Sequence, residues 1–493
     1  MKLTYLASAA LAATMLHAPA LADRPPSAHI RCDGNPDNIT AGETAARLIA
    51  ITALVGLLVP DHEAPNASLR RSGEEGIAVC TEALAGESND VRRTELILAR
   101  AIHRIEAGAF EAAIVDAQLA LTDRPEFAAT PAFHLSLHLS ALEVQAMALF
   151  AMGHKEEGAA KAMEMAALAP YDPVTGQRAA RYVRLLGTYG PEQQQFYDRL
   201  IRLFPLGLIE RAWVRQMARD FRGAAEDQEL WAGLLQSMSD QPVNGSALAH
   251  AALARALAGD VDQAAELAHR ASEAIKSQTS EASSASASEV LDLYRIWETA
   301  HQGRVAEARL VFAGRSSWSR PHVAAVAEVM RILREGARPE ELTGALAQDP
   351  DAFRTEPLTT QLEQLNGEKD RFRVIRSVPS QSVFAGYSRN VWRTERSRYL
   401  GSVNEELGAT FVDTQRDGYG LPSGYALLLH SALVARSRGQ SEFMMMPGQR
   451  LISANFVRFG SADDPRMIQA FTLGTDQVIA DLAPLIPAPP SRR

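Results

Sequence analysis

The chain has 493 residues, 46% of them hydrophobic and 22% charged, with a formal net charge of -9. That length exceeds one ordinary core, so two or three structural units are expected. An acidic balance with no basic stripe alternating with aromatics argues against nucleic-acid binding, and two cysteines exclude a disulfide-dense scaffold.

Residues 1–22 read as an export leader: Lys2, an apolar stretch from Leu3 to Leu16, a break at Pro19, then Ala20-Leu21-Ala22 before Asp23, with small residues where a signal peptidase needs them. An uncut membrane anchor is the alternative, but the run is short of the ~20 apolar residues a span requires. The first cysteine is Cys32, so no lipid-modifiable cysteine stands at the cut after Ala22. The mature chain is therefore expected to be a soluble periplasmic or secreted protein with no transmembrane span. Leu48 to Val59 is interrupted by Thr52 and Gly56 and closed by Pro60, and reads as a buried helix.

In an oxidising compartment Cys32 and Cys80 are expected to pair, tying Arg31-Cys32-Asp33-Gly34 to a helix over Glu75 to Leu84. Closing that loop stabilises by roughly 4 kcal/mol in the chain-entropy model. Two free buried thiols are the alternative. Neither cysteine belongs to a C-x-x-C pair, which leaves thiol-redox chemistry and zinc ligation without support. Asn38-Ile-Thr and Asn66-Ala-Ser fit the glycosylation pattern, which matters only in a eukaryote, and the leader does not suggest one.

Gly108 and Gly153 are each followed by an alanine-rich helical run and, 17 residues on, by a proline, Pro125 and Pro170. Such a glycine ends one helix in a left-handed cap, small residues let two helices approach, and the proline stops the second. The first copy places Ala113, Ala117 and Ala120 after Phe110; the second keeps Ala162 but carries Gly158 and Met165. These residues resemble the second half of a tetratricopeptide repeat. The resemblance implies helical hairpins stacked into a solenoid, whose concave surface in that family commonly holds a peptide or a partner helix.

Leu248 to Ile275 repeats the spacing with Ala252, Gly259, Ala264, Ala268 and Ala271, and Val290 to Ala313 carries Gly303 and Ala308 in the same relation. Helical periodicity also runs through 178–205, 212–239 and 322–348. Ser277 to Ser288 is low-complexity and reads as a flexible loop, with a polar surface helix as the alternative.

Composition shifts after Lys369. Strands are predicted at Arg373–Val378, Ser380–Tyr387, Ala409–Asp413, Glu442–Met446 and Leu451–Phe459. Helices are predicted at Gly424–Arg438, capped at Ser423 and stopped by Gly439, and at Asp476–Ala483. The expected fold is mostly α: a tetratricopeptide-like helical-hairpin solenoid over 23–370, a small α+β domain over 371–486 and a frayed tail over 487–493. Tyr425 to Met446 also resembles a fragment of small bacterial envelope lipoproteins, in which an alanine-rich helix leads through a glycine turn into a core strand; this implies an envelope location. Residues 23–370 carry 34 basic and 49 acidic side chains (-15), whereas 371–493 carry 15 Arg and 10 acidic ones (+5), so the two parts are expected to attract.

Candidate chemistry is sparse. His134 and His138 stand four apart, as metal ligands on one helix would, but Leu135 occupies the place of a zinc-peptidase glutamate. Ser423, His430, Ser431 and Asp413 are hydrolase residue types, yet Gly420-Leu-Pro-Ser423-Gly424 sets the serine one place late for a nucleophile elbow. Arg389, Arg393, Arg396 and Arg398, near Tyr387 and Trp392, could hold an anion; a solvated surface facing the acidic solenoid is the alternative. No catalytic, cofactor or metal motif emerges. The expected function is a non-catalytic exported adaptor or scaffold that binds a protein or peptide partner in the envelope. Its rival is a ligand-binding or hydrolytic C-terminal domain that the solenoid supports.

Overall fold

A left-handed residue closes each of five helix hairpins. In the computed structural model Gly108, Gly153, Gly259 and Gly303 sit at φ +77, +85, +85 and +83. The residue after each donates its amide to the carbonyl five positions back: Ala109 to Arg104, His154 to Leu149, Asp260 to Arg255 and Arg304 to Thr299. That bond satisfies a carbonyl the helix end leaves open and reverses the chain within a few residues. The structure describes residues 25–36, 65–236, 244–276 and 281–489, apart from 316, 320, 321, 369, 380, 396, 406, 415–420 and 447–453. The leader with its cut, the Leu48–Val59 segment and the Asn38 sequon lie outside the described residues.

The chain divides between Phe127 and Ala128 into two compact units. The first contains α1 (Ala28–Asp33), α2 (Gly73–Gly86), α3 (Asp90–Glu106) and α4 (Phe110–Thr122). Cys32 and Cys80 are disulfide-bonded, joining α1 to α2 with their Cα atoms 4.7 Å apart. Around the bridge, Arg92 donates to Asp33 at 2.5 and 2.8 Å and to the Asn35 carbonyl at 3.0 Å, while His103 Nε2 donates to the Cys32 carbonyl at 2.7 Å. Asn66 caps a 3-10 turn, its Oδ1 accepting from the Ser68 amide.

The second unit opens with the hairpin of α5 (Leu137–Ala151) and α6 (Lys155–Leu168), followed by α7 (Pro173–Val183), α8 (Pro191–Leu203), α9 (Gly207–Met217) and α10 (Phe221–Gln236). Next come the hairpins of α11 (Gly245–Leu257) with α12 (Val261–Lys276) and of α13 (Glu281–His301) with α14 (Val305–Ala313), then α15 (Val323–Arg334) and α16 (Pro350–Asn366). Consecutive helices pack on one another throughout α9 to α12. Positions 5, 9 and 12 after the turn residue are buried in α4 (Ala113, Ala117, Ala120), α6 (Gly158, Ala162, Met165) and α12 (Ala264, Ala268, Ala271). Small side chains there bring the paired backbones together: a Cβ on Gly158 would lie 2.5 Å from the Phe150 ring.

The fifth hairpin, α9 with α10, escapes a glycine-based reading because Arg219 takes the left-handed turn at φ +64. Asp220 still donates to the Arg215 carbonyl, and Ala224, Gln228 and Trp231 are buried at the same three offsets. A second difference concerns Ser277–Ser288: residues from Glu281 onward belong to α13, with Ala287 fully buried, so the polar run is helix there and not loop. Alanine carries no side-chain entropy cost in a helix and the apolar residues beyond it supply the packing.

The C-terminal region forms one antiparallel sheet in the order β1-β2-β4-β3-β5. Its strands are β1 (Leu400–Asn404), β2 (Ala409–Asp413), β3 (Glu442–Met445), β4 (Ala454–Gly460) and β5 (Thr472–Gly474), with helices α17 (Gln381–Val391), α18 (Leu421–Ser437) and α19 (Thr475–Leu482). Alternation along β3 sends Phe443 and Met445 into a core with α18, and Met444 into a core shared with α11 to α15. Two predicted strands are corrected. Ser380–Tyr387 falls largely in α17, where Phe384, Tyr387 and Val391 share one face at helical spacing and pack against α18. Arg373–Val378 is a 3-10 turn followed by extended chain, fixed by side chains and not by a ladder: Arg376 N donates to Ser140 Oγ at 3.0 Å and its Nη1 to Thr175 Oγ1 at 2.5 Å, while Arg178 donates to the Arg373 carbonyl at 3.2 Å. Ser423 lies inside α18 and does not cap it; its carbonyl accepts from Thr414 Oγ1. At the tail, Pro487 accepts from Ser388 Oγ, and Ile486 from Trp392 Nε1. No helix among the described residues is long and apolar enough to cross a membrane.

The close α5–α6 approach predicts that Gly158→Ala destabilises by about 1–3 kcal/mol, since the overpacking strain outweighs the ~1 kcal/mol gain in helix propensity. Urea unfolding of the full chain measures it, and Gly233→Ala, where a Cβ meets nothing within 4 Å, serves as the reference.

Candidate functional site

Two hairpins share a buried ion cluster that is built from fixed offsets about the turn residue. In α3–α4, Arg100 lies eight before Gly108, Arg104 four before and Asp116 eight after. Asp116 accepts from Arg100 Nε at 2.9 Å and Nη2 at 2.7 Å, and lies 3.2 Å from Arg104 Nη1. In α9–α10, Arg211, Arg215 and Asp227 hold the same offsets about Arg219. Asp227 accepts from Arg211 Nη2 at 2.6 Å and lies 3.0 Å from Arg215 Nη1. Even the secondary bond recurs: Arg104 Nη1 donates to the Ala112 carbonyl and Arg215 Nη1 to the Gly223 carbonyl, both at 2.7 Å. Burial holds the Asp227 carboxyl above its ordinary pKa, against the pull of the Arg211 and Arg215 guanidiniums.

The α13–α14 hairpin keeps part of this arrangement and loses the rest. Arg295 stands eight before Gly303, but Thr299 replaces the second arginine and Val311 replaces the aspartate. The side chain of Arg295 is 61% exposed, against 15% for Arg100 and 8% for Arg211. A groove of about 560 Å³ opens here between the two helices, with Ile296 and Ala308 at its base and Val311 and Arg315 at its edge. Val311 is 58% exposed and the adjacent Leu310 76% exposed, an apolar pair facing solvent.

Arg315 is fixed from beneath. It lies 3.3 Å from Asp292 and 3.7 Å from Glu289, and its guanidinium sits 4.6 Å from the Trp318 ring centroid. Glu289 accepts from the Ser319 amide at 2.8 Å and hydroxyl at 2.5 Å. Burial raises the Glu289 pKa, but these two bonds together with the His322 and Arg315 charges hold the carboxyl below the usual range. The groove therefore combines an apolar floor with two guanidiniums, Arg315 and the more exposed Arg295, and the Asp292 carboxylate that pairs with both, at 3.3 and 3.0 Å.

The other residues singled out in the sequence are placed as follows. His134 ends a short helix at Pro131–His134 and His138 lies in the first turn of α5, so the two stand on separate helices, with their Nδ1 atoms 3.0 Å apart. Among the described residues no group of three or more His, Cys, Asp or Glu is placed to hold a metal. His430 Nδ1 donates to the Val391 carbonyl at 2.7 Å, and Ser431 Oγ to the Leu427 carbonyl at 2.8 Å. His430 packs edge-on to Tyr399 with ring centroids 5.4 Å apart, inside the α17–α18 core. Arg389, Arg393 and Arg398 are exposed, Arg398 lying 5.9 Å from the Tyr399 ring, and Arg396 lies outside the described residues. Sequence reasoning missed the Arg100–Asp116 and Arg211–Asp227 clusters, although the signal was present as matched offsets of Arg and Asp about residues 108 and 219. No protein family, no curated protein and no solved structure matches the chain.

Two outcomes follow from this geometry. Asp227→Asn leaves two guanidiniums without their buried carboxylate and is expected to cost about 3 kcal/mol in urea unfolding. The second concerns pH. Burial pushes the His430 imidazole down to about 4, below its unfolded value near 6.5, so the folded state refuses a proton that the unfolded chain accepts. The stability His430 contributes is full above about pH 6.5 and falls as pH drops toward 4, by about 3 kcal/mol. His430→Gln flattens that part of a stability profile recorded by denaturant titration between pH 4 and 7.

Proposed function

We propose that this chain is an exported, non-catalytic adaptor whose helix hairpins stack as in a tetratricopeptide solenoid and seat a peptide segment of a partner in the α13–α14 groove. The observation that carries the reading is the exposed Leu310–Val311 pair beside a groove walled by arginine. In a stack of hairpins each outward apolar face is covered by the next pair, and a terminal pair is normally polar on its outer side. α15 follows this hairpin and packs in the same core, yet Leu310 and Val311 stay exposed, and an exposed apolar pair beside a groove marks a docking surface. The disulfide supports an oxidising compartment, in line with the leader-like first 22 residues.

A photo-crosslinking residue placed at Val311 tests this in cells that express the full chain, with the same substitution at exposed Glu266 on α12 as the control. One discrete adduct from position 311 and none from 266 is the expected outcome. Equal labelling from both positions, or none from 311, overturns the proposal.

A further inference from the structure

The three hairpins that carry an arginine eight residues before the turn show what the groove lacks. In α3–α4 and α9–α10 that arginine meets an aspartate of its own second helix. In α13–α14 the arginine remains and the aspartate position is Val311. We infer that Arg295 recognises a carboxylate from outside the hairpin, an aspartate or glutamate side chain of a partner peptide that also lays an apolar side chain on Val311. The inference rests on the adaptor reading and deepens it by naming the chemistry of the ligand.

The geometry favours a carboxylate over other acceptors. The guanidinium fork matches two carboxylate oxygens, as Arg100 already does with Asp116 through Nε and Nη2 at 2.9 and 2.7 Å. Thr299 Oγ1 is turned back onto the Arg295 carbonyl at 2.8 Å, so the donors facing the groove are guanidinium N–H groups. Arg315 adds a second positive edge, held beside the buried Glu289 at 3.7 Å and over the Trp318 ring. Asp292 holds Arg295 only through a surface contact between two side chains 46% and 61% exposed, and such a pair yields to a better placed partner at little cost. The chain's two internal clusters thus serve as templates for the external one, with the peptide carboxylate standing where Asp116 and Asp227 stand.

Two experiments on the full chain separate this inference from the adaptor reading. The first rebuilds the internal partner by Val311→Asp. A double-mutant cycle with Arg295→Gln should show a coupling of about tenfold in the unfolding equilibrium constant; no coupling means that position 311 does not face Arg295, and overturns the inference. The second selects binders from a random 12-residue display library and compares synthetic copies with each Asp or Glu intact or replaced by Asn or Gln. The expected result is a loss of 10- to 100-fold on removing one carboxylate, matched by Arg295→Gln, a surface change that leaves the fold intact. Binders indifferent both to the carboxylate and to Arg295→Gln, yet lost on Val311→Asp, overturn the carboxylate inference and leave the groove as the seat. Binders retained by Val311→Asp, or no binders at all, overturn both.

Discussion

A single backbone requirement organises most of this molecule: a residue must turn left-handed at the end of one helix so that the next can lie back along it. Glycine meets that requirement without strain, and four of the hairpins use it. Once the turn is set, the side chains five and nine positions later are buried, as is the twelfth in every hairpin but α13–α14, where Arg315 stands there, and only small or well-fitted residues are admitted at the buried places. The alanines at those offsets, Ala113, Ala117, Ala120, Ala162, Ala224, Ala264, Ala268, Ala271 and Ala308, follow from that geometry. Arg219 marks the tolerance of the scheme. Its turn costs about 1–2 kcal/mol in backbone strain, yet the hairpin forms because the packing beyond it is intact.

On this scaffold the same few offsets serve opposite ends. Where arginine and aspartate are both present the hairpin is locked by a buried pair, which gives little net stability but punishes any loss of one partner. Where the aspartate is valine, the pair is gone, the arginine reaches solvent and a groove appears. The difference lies at two positions, Thr299 on the first helix and Val311 on the second, with the left-handed turn at Gly303 kept.

The helical hairpins were legible because glycine and alanine at fixed intervals leave a pattern that local sequence can carry, and the disulfide because only two cysteines exist. The C-terminal region was legible only in part. β2 and β3 and the long helix between them are evident from apolar runs and Gly439, whereas Ser380–Tyr387 has a composition that fits strand or helix and was decided by its packing against α18. β1 and β5 went unseen: one is largely exposed and the other has three residues, so neither leaves a burial pattern to read. The groove was invisible for a further reason. It is defined by what is missing relative to two other hairpins, and one of those carries no glycine to announce it.

The six residues of α1 bear a last consequence. So short a helix cannot persist alone in water, and its hold on the rest runs through Cys80, Arg92 and His103, all far downstream. Its shape is thus a late event in the life of the chain: the segment is synthesised early, must stay pliant until some seventy later residues have emerged, and is then captured by oxidation and by a buried guanidinium. A reducing environment would remove the covalent tie to α2 and leave that first piece held by the Arg92 and His103 hydrogen bonds alone.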